Sequence, residues 1–191
     1  MRTPLIVTAS DANLYWLLKG LVLSTAEQRG RRGIAMACLD LGLAPEQRQW
    51  LVGHGVRVEA PPDPLGAAAM PGFMPYMLGQ LCRPFLRDIL PGHDAYIWLD
   101  ADIWVQQPEG LDGLLYVMRH GLLGVCPEIH VAYKAMSTEH IPYLRYWWLR
   151  WSEVFGEEVA ERFSPLPMLN SGVVAIPADH PIWSARKDQL R

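Results

Sequence analysis

Residues 96–105 read YIWLDADIWV. Strand-forming residues precede Asp100 and Asp102, and apolar residues return at once with Ile, Trp and Val. This arrangement indicates that the two acids lie at the lip of a buried sheet, where a charge is costly without a partner. The stretch therefore predicts a central strand and a site at its end.

The sequence around this stretch alternates short β-rich runs with longer helical ones, the pattern of a layered βαβ fold. Strands are predicted over 4–9, 34–39, 56–59, 121–126 and 169–176. Helices are predicted over 14–27, 45–55, 76–90 with a kink at Pro84, 108–120, 138–155 and 181–191. Residues 60–75 are rich in proline and predict a long irregular loop of the kind that often borders a site.

Length and composition favour one globular domain over residues 1–191. The formal net charge of −3 provides no basic field, so nucleic acid is not expected as a partner. The three cysteines, at 38, 82 and 126, form no CxxC pair and are expected to be reduced thiols in the core. No apolar run approaches the roughly 18 residues of a spanning helix, and we expect a cytoplasmic protein.

Asp100 and Asp102 are two residues apart, and a regular strand would place both carboxylates on one face. Two carboxylates that close repel each other unless a cation lies between them. A divalent ion that prefers oxygen ligands, Mn²⁺ or Mg²⁺, would resolve the repulsion, with phosphate oxygens and water completing its shell. The alternative is a solvated turn whose acids only cap the residues that follow.

The end of the first predicted strand should face the same crevice, because parallel sheets bind ligands at the carboxyl ends of their strands. That end continues into Asp11 and Asn13, whose side chains could hydrogen-bond a base or a ribose. From the local sequence alone, a plain helix N-cap is the preferred interpretation of Asp11.

Four segments together resemble the glycosyltransferases of family 8, which have the GT-A fold. They are VTASDAN near the N-terminus, Arg83, YIWLDADIW in mid-chain and LNSGVVAIP near the end. The order and approximate spacing match over nearly the whole chain. The resemblance implies a Rossmann-like three-layer α/β fold whose central sheet is mixed and mostly parallel.

The resemblance also implies a function, the metal-dependent transfer of a sugar from a nucleotide-sugar donor to a hydroxyl acceptor. The donor would be a UDP-sugar by analogy, and the transfer would retain the anomeric configuration. The acceptor is a glycan, lipid or protein that the sequence does not identify.

Site residues follow from the resemblance position by position. Ala9, Asp11 and Asn13 would contact the nucleotide. Asp100 and Asp102 would hold Mn²⁺ or Mg²⁺ against the diphosphate, and Asp100 would also lie near the ribose. Three further residues would contact the donor: Arg83 at its phosphate or sugar, Asn170 as the catalytic residue at its sugar, and Gly172 where the backbone passes closely. For Arg83, an ion pair on the helix surface with Asp88 or a neighbour is an equal alternative, and Asn170 with Gly172 equally fits a simple strand-entry turn.

Members of this family take a third metal ligand, a histidine, from a segment beyond the last motif. This sequence ends 19 residues after Gly172, so we expect either a missing C-terminal segment or a metal site completed differently. A catalytically incomplete nucleotide-binding module is therefore a second hypothesis. A phosphatase of the haloacid dehalogenase type is disfavoured, because its acidic pair follows the first strand and Trp104 stands where that family has Thr or Val.

The helix predicted over 138–155 is rich in aromatic residues. Packing on the core is the preferred interpretation. A stacking surface for a sugar acceptor and a peripheral membrane contact stay open.

Overall fold

The computed structural model describes residues 3–128 and 141–190, with residues 141–144 described by their backbone alone. Residues 138–140 of the predicted aromatic helix lie outside the described part. The described chain divides into two compact units, one formed by residues up to 124 and from 172 onward, the other by residues 125–171. Our prediction of one domain over 1–191 that lacks a C-terminal segment stays a prediction.

The described residues form a six-stranded sheet in the order β3-β2-β1-β4-β6-β5. The strands are β1 Leu5–Ser10, β2 Ala35–Asp40, β3 Val56–Glu59, β4 Ala95–Leu99, β5 Gly124–Pro127 and β6 Leu169–Pro177. β1 pairs in parallel with β2 and β4, β2 pairs in parallel with β3, and β4 pairs antiparallel with β6. The sheet is thus mixed and mostly parallel, as predicted.

Helices lie between these strands in the chain and after the last of them. They are α1 Tyr15–Arg32, α2 Pro45–Gly53, α3 Met77–Leu81, α4 Leu86–Ile89, α5 Pro108–Arg119, α6 Ile141–Phe155, α7 Glu157–Phe163 and α8 Ile182–Asp188. The 3₁₀ turns Ala67–Ala69 and Arg83–Phe85 lie between β3 and α4. Pro84 lies in the second turn, so the predicted helix 76–90 is broken into short pieces rather than kinked.

The first unit has a hydrophobic core on each face of the sheet, because successive strand residues alternate between the faces. In β4, Ile97 and Leu99 join the core beneath α1, α2 and α5. Tyr96 and Trp98 join the opposite core with Leu86, on α4, and with α8 residues. This is the predicted three-layer α/β arrangement.

The second unit contains α6 and α7, separated by Gly156, whose φ of 87° suits glycine. Trp151 of α6 stacks on Phe163 of α7, with 5.8 Å between the ring centroids. The sequence analysis did not predict α7. Part of the aromatic character of α6 is therefore used to pack these two helices together.

The cysteines are free thiols, and two of them, Cys38 and Cys82, are buried as predicted. Cys126 is exposed, so its predicted place in the core is wrong. It lies near the end of β5, where the burial pattern changes from buried to exposed. Among the described helices, none combines the length and the apolar composition needed to cross a membrane.

Candidate functional site

The two acids follow β4 rather than continue it. The strand ends at Leu99, although the Asp100 N–H still donates to the Gly172 carbonyl, 2.8 Å away. The chain then turns, with the Ile103 N–H donating to the Asp100 carbonyl at 3.0 Å. The assumption of a regular strand through Asp102 is therefore wrong. The Asp100 side chain is 35% exposed, and Asp102 is exposed.

The apolar residues after the acids fix this turn against α1. Ile103 and Val105 pack on the core beneath α1, and the Val105 N–H donates to Ser24 Oγ at 3.2 Å. Trp104 lies over Gly20, where a Cβ would come within 3.3 Å of the indole ring. The return to Ile, Trp and Val thus holds the acids at the edge of the sheet.

Arg83 holds Asp100 from the other side. Its Nη2 donates to Asp100 Oδ1 at 2.7 Å, and its guanidinium carbon is 4.3 Å from the centroid of the Trp98 ring. Burial lowers the pKa of Arg83, the charge of Asp100 opposes this shift, and the charge of Arg186 adds to it. The expected alternative pairing with Asp88 is wrong, because Asp88 pairs with Lys187 and Arg83 is buried.

Asp11 shapes the turn that leads from β1 into α1. Its Oδ1 accepts hydrogen bonds from the N–H groups of Asn13 and Leu14, at 2.9 and 3.0 Å. The carboxylate thus binds backbone N–H groups directly before α1. This role is close to the helix N-cap that the local sequence predicted for Asp11. Asn13 is exposed, and its Nδ2 donates to Asp11 Oδ2 at 3.4 Å.

A cavity of about 280 Å³ lies where the carboxyl ends of β1 and β4 meet. It is lined by Ala9, Leu14, Leu17, Leu41, Tyr76, Gly79, Gln80, Arg83, Trp98, Asp100, Ala101 and Asp102. One part of the lining is apolar and aromatic, and another carries the arginine and the two acids. A larger cavity, of about 610 Å³, lies at the opposite end of the strands and includes none of the predicted site residues.

Four of the predicted site residues line the smaller cavity: Ala9, Arg83, Asp100 and Asp102. Asp11 and Asn13 lie in the turn before α1, outside this lining, and Gly172 is bonded to the Asp100 backbone. Asn170 belongs to the second unit, where its Nδ2 lies 3.4 Å from Glu128 Oε1. The functional roles of all these residues stay predictions.

Sequence reasoning missed several cavity residues. Tyr76 directly precedes α3, and Gly79 and Gln80 lie within it; this helix follows the loop that was expected to border a site. Gly79 is buried, and a Cβ there would lie 3.2 Å from Ala9 Cβ. A glycine within a helical pattern was the available signal, since it often marks close packing.

The carboxylate oxygens of the two acids are ligands that suit a hard divalent cation. Mg²⁺ and ions like it are commonly bound by one or two carboxylates, with substrate phosphates and water filling the other positions. Asp100 and Asp102 supply such a pair at the cavity. Within residues 3–128 and 141–190, no cluster of three or more His, Cys, Asp or Glu side chains could hold a metal.

Comparison with solved structures identifies the fold. The galactosyltransferase LgtC in complex with donor and acceptor sugar analogues matches with a TM-score of 0.61 and 16% identity, over 98% of this chain and 66% of its own. The bifunctional glycosyltransferase WbbM matches with a TM-score of 0.63 and 11% identity, over 99% and 33%. Core-mannan synthase A from Aspergillus fumigatus, in its Mn/GDP form, matches with a TM-score of 0.56 and 10% identity, over 100% and 64%.

These matches define the class of fold as GT-A, a Rossmann-like α/β fold, and confirm that prediction. The neighbours are glycosyltransferases, and the chain spans at most about two thirds of the length of each of them. No protein-family model matches the sequence, and no curated protein sequence matches it either. The resemblance to family 8 therefore stays a prediction.

Proposed function

We propose that this chain binds a nucleotide-sugar donor in the cavity beside Asp100 and transfers the sugar to a hydroxyl acceptor. The observation that carries the proposal is the cavity itself, in which Ala9, Arg83, Asp100 and Asp102 meet at the carboxyl ends of β1 and β4. Open α/β sheets bind their ligands at this edge. The resemblance further suggests a UDP-sugar, retention of configuration and a place in family 8.

Asp100 and Asp102 are the residues that would hold Mn²⁺ or Mg²⁺. When bound, such an ion acts as a Lewis acid that stabilises the charge developing on a leaving diphosphate. The Mn/GDP form of core-mannan synthase A supports a divalent ion in a protein of this fold. The residues of the present chain that contact the hydroxyl acceptor are not assigned.

The chain's own groups have distinct roles in this proposal. Arg83 is buried and keeps a permanent positive charge next to Asp100, which suits the oxygens of a diphosphate. Ala9 is small and leaves room for the nucleoside beside Tyr76. Asn170 stays the predicted contact of the donor sugar.

The test is calorimetric binding of a panel of nucleoside diphosphates, with and without Mn²⁺. We expect the full chain to bind at least one of them, with affinity that depends on Mn²⁺. Asp102→Asn should weaken the Mn²⁺-dependent affinity by about 10-fold or more. Asp102 is exposed, so this change should leave the fold intact.

Glu27→Gln is the matched control, because Glu27 is an exposed acid on α1 that pairs only with Arg31 among the described residues. It should bind nucleotide as the wild-type chain does. A wild-type chain that binds no nucleoside diphosphate with Mn²⁺ would overturn the proposal. Nucleotide binding with neither sugar transfer nor donor hydrolysis would favour the incomplete binding module instead.

A further inference from the structure

We infer that Trp98 is a positioning residue that, together with Arg83, holds Asp100 so that its Oδ2 is the oxygen offered to a divalent cation. The inference rests on the proposed function and concerns the same site. It assigns a role to the indole N–H in the middle of the strand motif, which otherwise looks like an ordinary core residue.

The strand geometry brings Trp98 and Asp100 together. They are two residues apart along β4 and its continuation, so their side chains lie on the same side of the sheet. Trp98 is 4% exposed, and its backbone is fixed between Val7 of β1 and Val174 of β6. Its Nε1 donates to Asp100 Oδ1 at 2.7 Å.

Arg83 donates to the same oxygen. Its Nη2 is also 2.7 Å from Asp100 Oδ1, and its guanidinium lies over the Trp98 ring at 4.3 Å. Each of these three side chains therefore restrains the other two. Rotating the Asp100 carboxyl would break two charge-assisted hydrogen bonds at once.

The two donors occupy Oδ1, and no side chain in the described residues donates to Oδ2. Arg83 would repel a cation near Oδ1, which already accepts two hydrogen bonds, so Oδ2 is the oxygen of Asp100 that could bind the ion. Asp100 would then bind a metal through one oxygen, in an orientation fixed before the ion arrives. Partners that orient a ligand in this way typically change metal affinity by about 10- to 100-fold when they are removed.

The residue type at position 98 carries this role. Phe or Leu would fill the same core space, but only the indole adds a donor directed at a carboxylate. Trp183 provides the comparison, since it lies in the same core and its Nε1 donates to the Pro177 carbonyl at 2.8 Å. The two tryptophans differ in what accepts the hydrogen bond.

The experiment compares Trp98→Phe with Trp183→Phe in the full chain. Mn²⁺ affinity is titrated at saturating UDP, or at whichever nucleoside diphosphate the wild-type chain binds, and thermal unfolding is followed in parallel. We expect both variants to lose similar stability. Trp98→Phe should also weaken Mn²⁺ binding about 10-fold, and Trp183→Phe should leave it unchanged.

Equal Mn²⁺ affinities in the two variants, whether unchanged or equally weakened, would overturn the role of Trp98 and leave the proposed function standing. A wild-type chain without Mn²⁺-dependent nucleotide binding would overturn both. If Trp98→Phe does not fold, nitrogen-proton NMR of the wild-type indoles decides. Adding Mg²⁺ to the chain already saturated with nucleotide should shift the Trp98 indole signal and not that of Trp183, and an unshifted Trp98 signal would overturn the inference.

Discussion

At the scale of single residues, Arg83 has two functions that only a guanidinium combines. It stacks on Trp98 through its flat face and donates to Asp100 through its edge. It is 6% exposed, whereas the Asp100 side chain is 35% exposed and keeps some contact with water. Removing one partner of this pair should therefore cost more than breaking a surface ion pair and less than breaking a fully buried one.

Replacing Arg83 tests this intermediate burial. Arg83→Met keeps much of the apolar cover on Trp98 but leaves Asp100 without its cation, and we expect the free energy of unfolding to fall by about 1–3 kcal/mol. Arg31→Met removes an exposed i,i+4 pair with Glu27 and should cost at most about 0.5 kcal/mol. Urea denaturation measures both. Equal losses would show that the Arg83 pair behaves as a surface pair.

At the scale of elements, the path of α3 depends on one glycine. Gly79 faces Ala9 and Leu41, and a Cβ at position 79 would approach their side chains to 3.2 and 3.3 Å. Ala9 lies in β1 and pairs with Leu39 of β2, so it has little freedom to move. The short helix reaches the cavity because it has no side chain at this contact.

Gly79→Ala and Gly113→Ala form a matched pair of helical substitutions. Both gain helix propensity, but a Cβ at Gly113 meets nothing within 4 Å. We expect Gly113→Ala to raise the free energy of unfolding by about 0.5–1 kcal/mol and Gly79→Ala to lower it by about 1–2 kcal/mol through overpacking. Chemical denaturation gives both values. If both substitutions raised the free energy of unfolding, α3 would be shown to move away from β1 at little cost.

Five of the six described strands were predicted from the sequence to within one residue, because their apolar runs end in turn residues, whereas β5 begins three residues later than predicted. VRVE at 56–59 is β3 without change. The helices were less accurate: α1 continues past Gly30 to Arg32 and ends at Gly33, whose φ of 63° provides the C-cap. Periodicity shows which residues face the core, but the end of a helix depends on backbone conformation that a glycine only permits.

The site was predictable only in part. Ala9, Arg83, Asp100 and Asp102 were chosen by sequence pattern, and they do line one cavity. Tyr76, Gln80 and the donor function of Trp98 were not predicted, because they depend on how α3 packs and on which atom accepts a hydrogen bond. A pattern can mark a carboxylate, but the groups that orient it are defined by tertiary structure.

At the scale of the whole molecule, the three thiols report on three environments. Cys38 lies in the core beneath α1, and Cys82 in the core on the other face of the sheet. Burial, followed by the charge of Asp40, raises the pKa of Cys38 to about 12. Burial, followed by the charge of Asp63, raises that of Cys82 to about 11. Cys126 is exposed.

Thiol labelling therefore measures the packing of both faces of the sheet. At about pH 8 the two buried thiols are almost entirely protonated and shielded, so the native chain should react with one equivalent of a disulfide reagent, at Cys126. Denatured chain should react at all three, and Cys126→Ser should abolish the native reaction. Cys38 and Cys82 lie on opposite faces of the sheet. If the sheet unfolds as one cooperative unit, both thiols should become reactive towards the reagent at the same urea concentration. Labelling of one buried thiol well before the other would instead show that one helical layer separates from the sheet first.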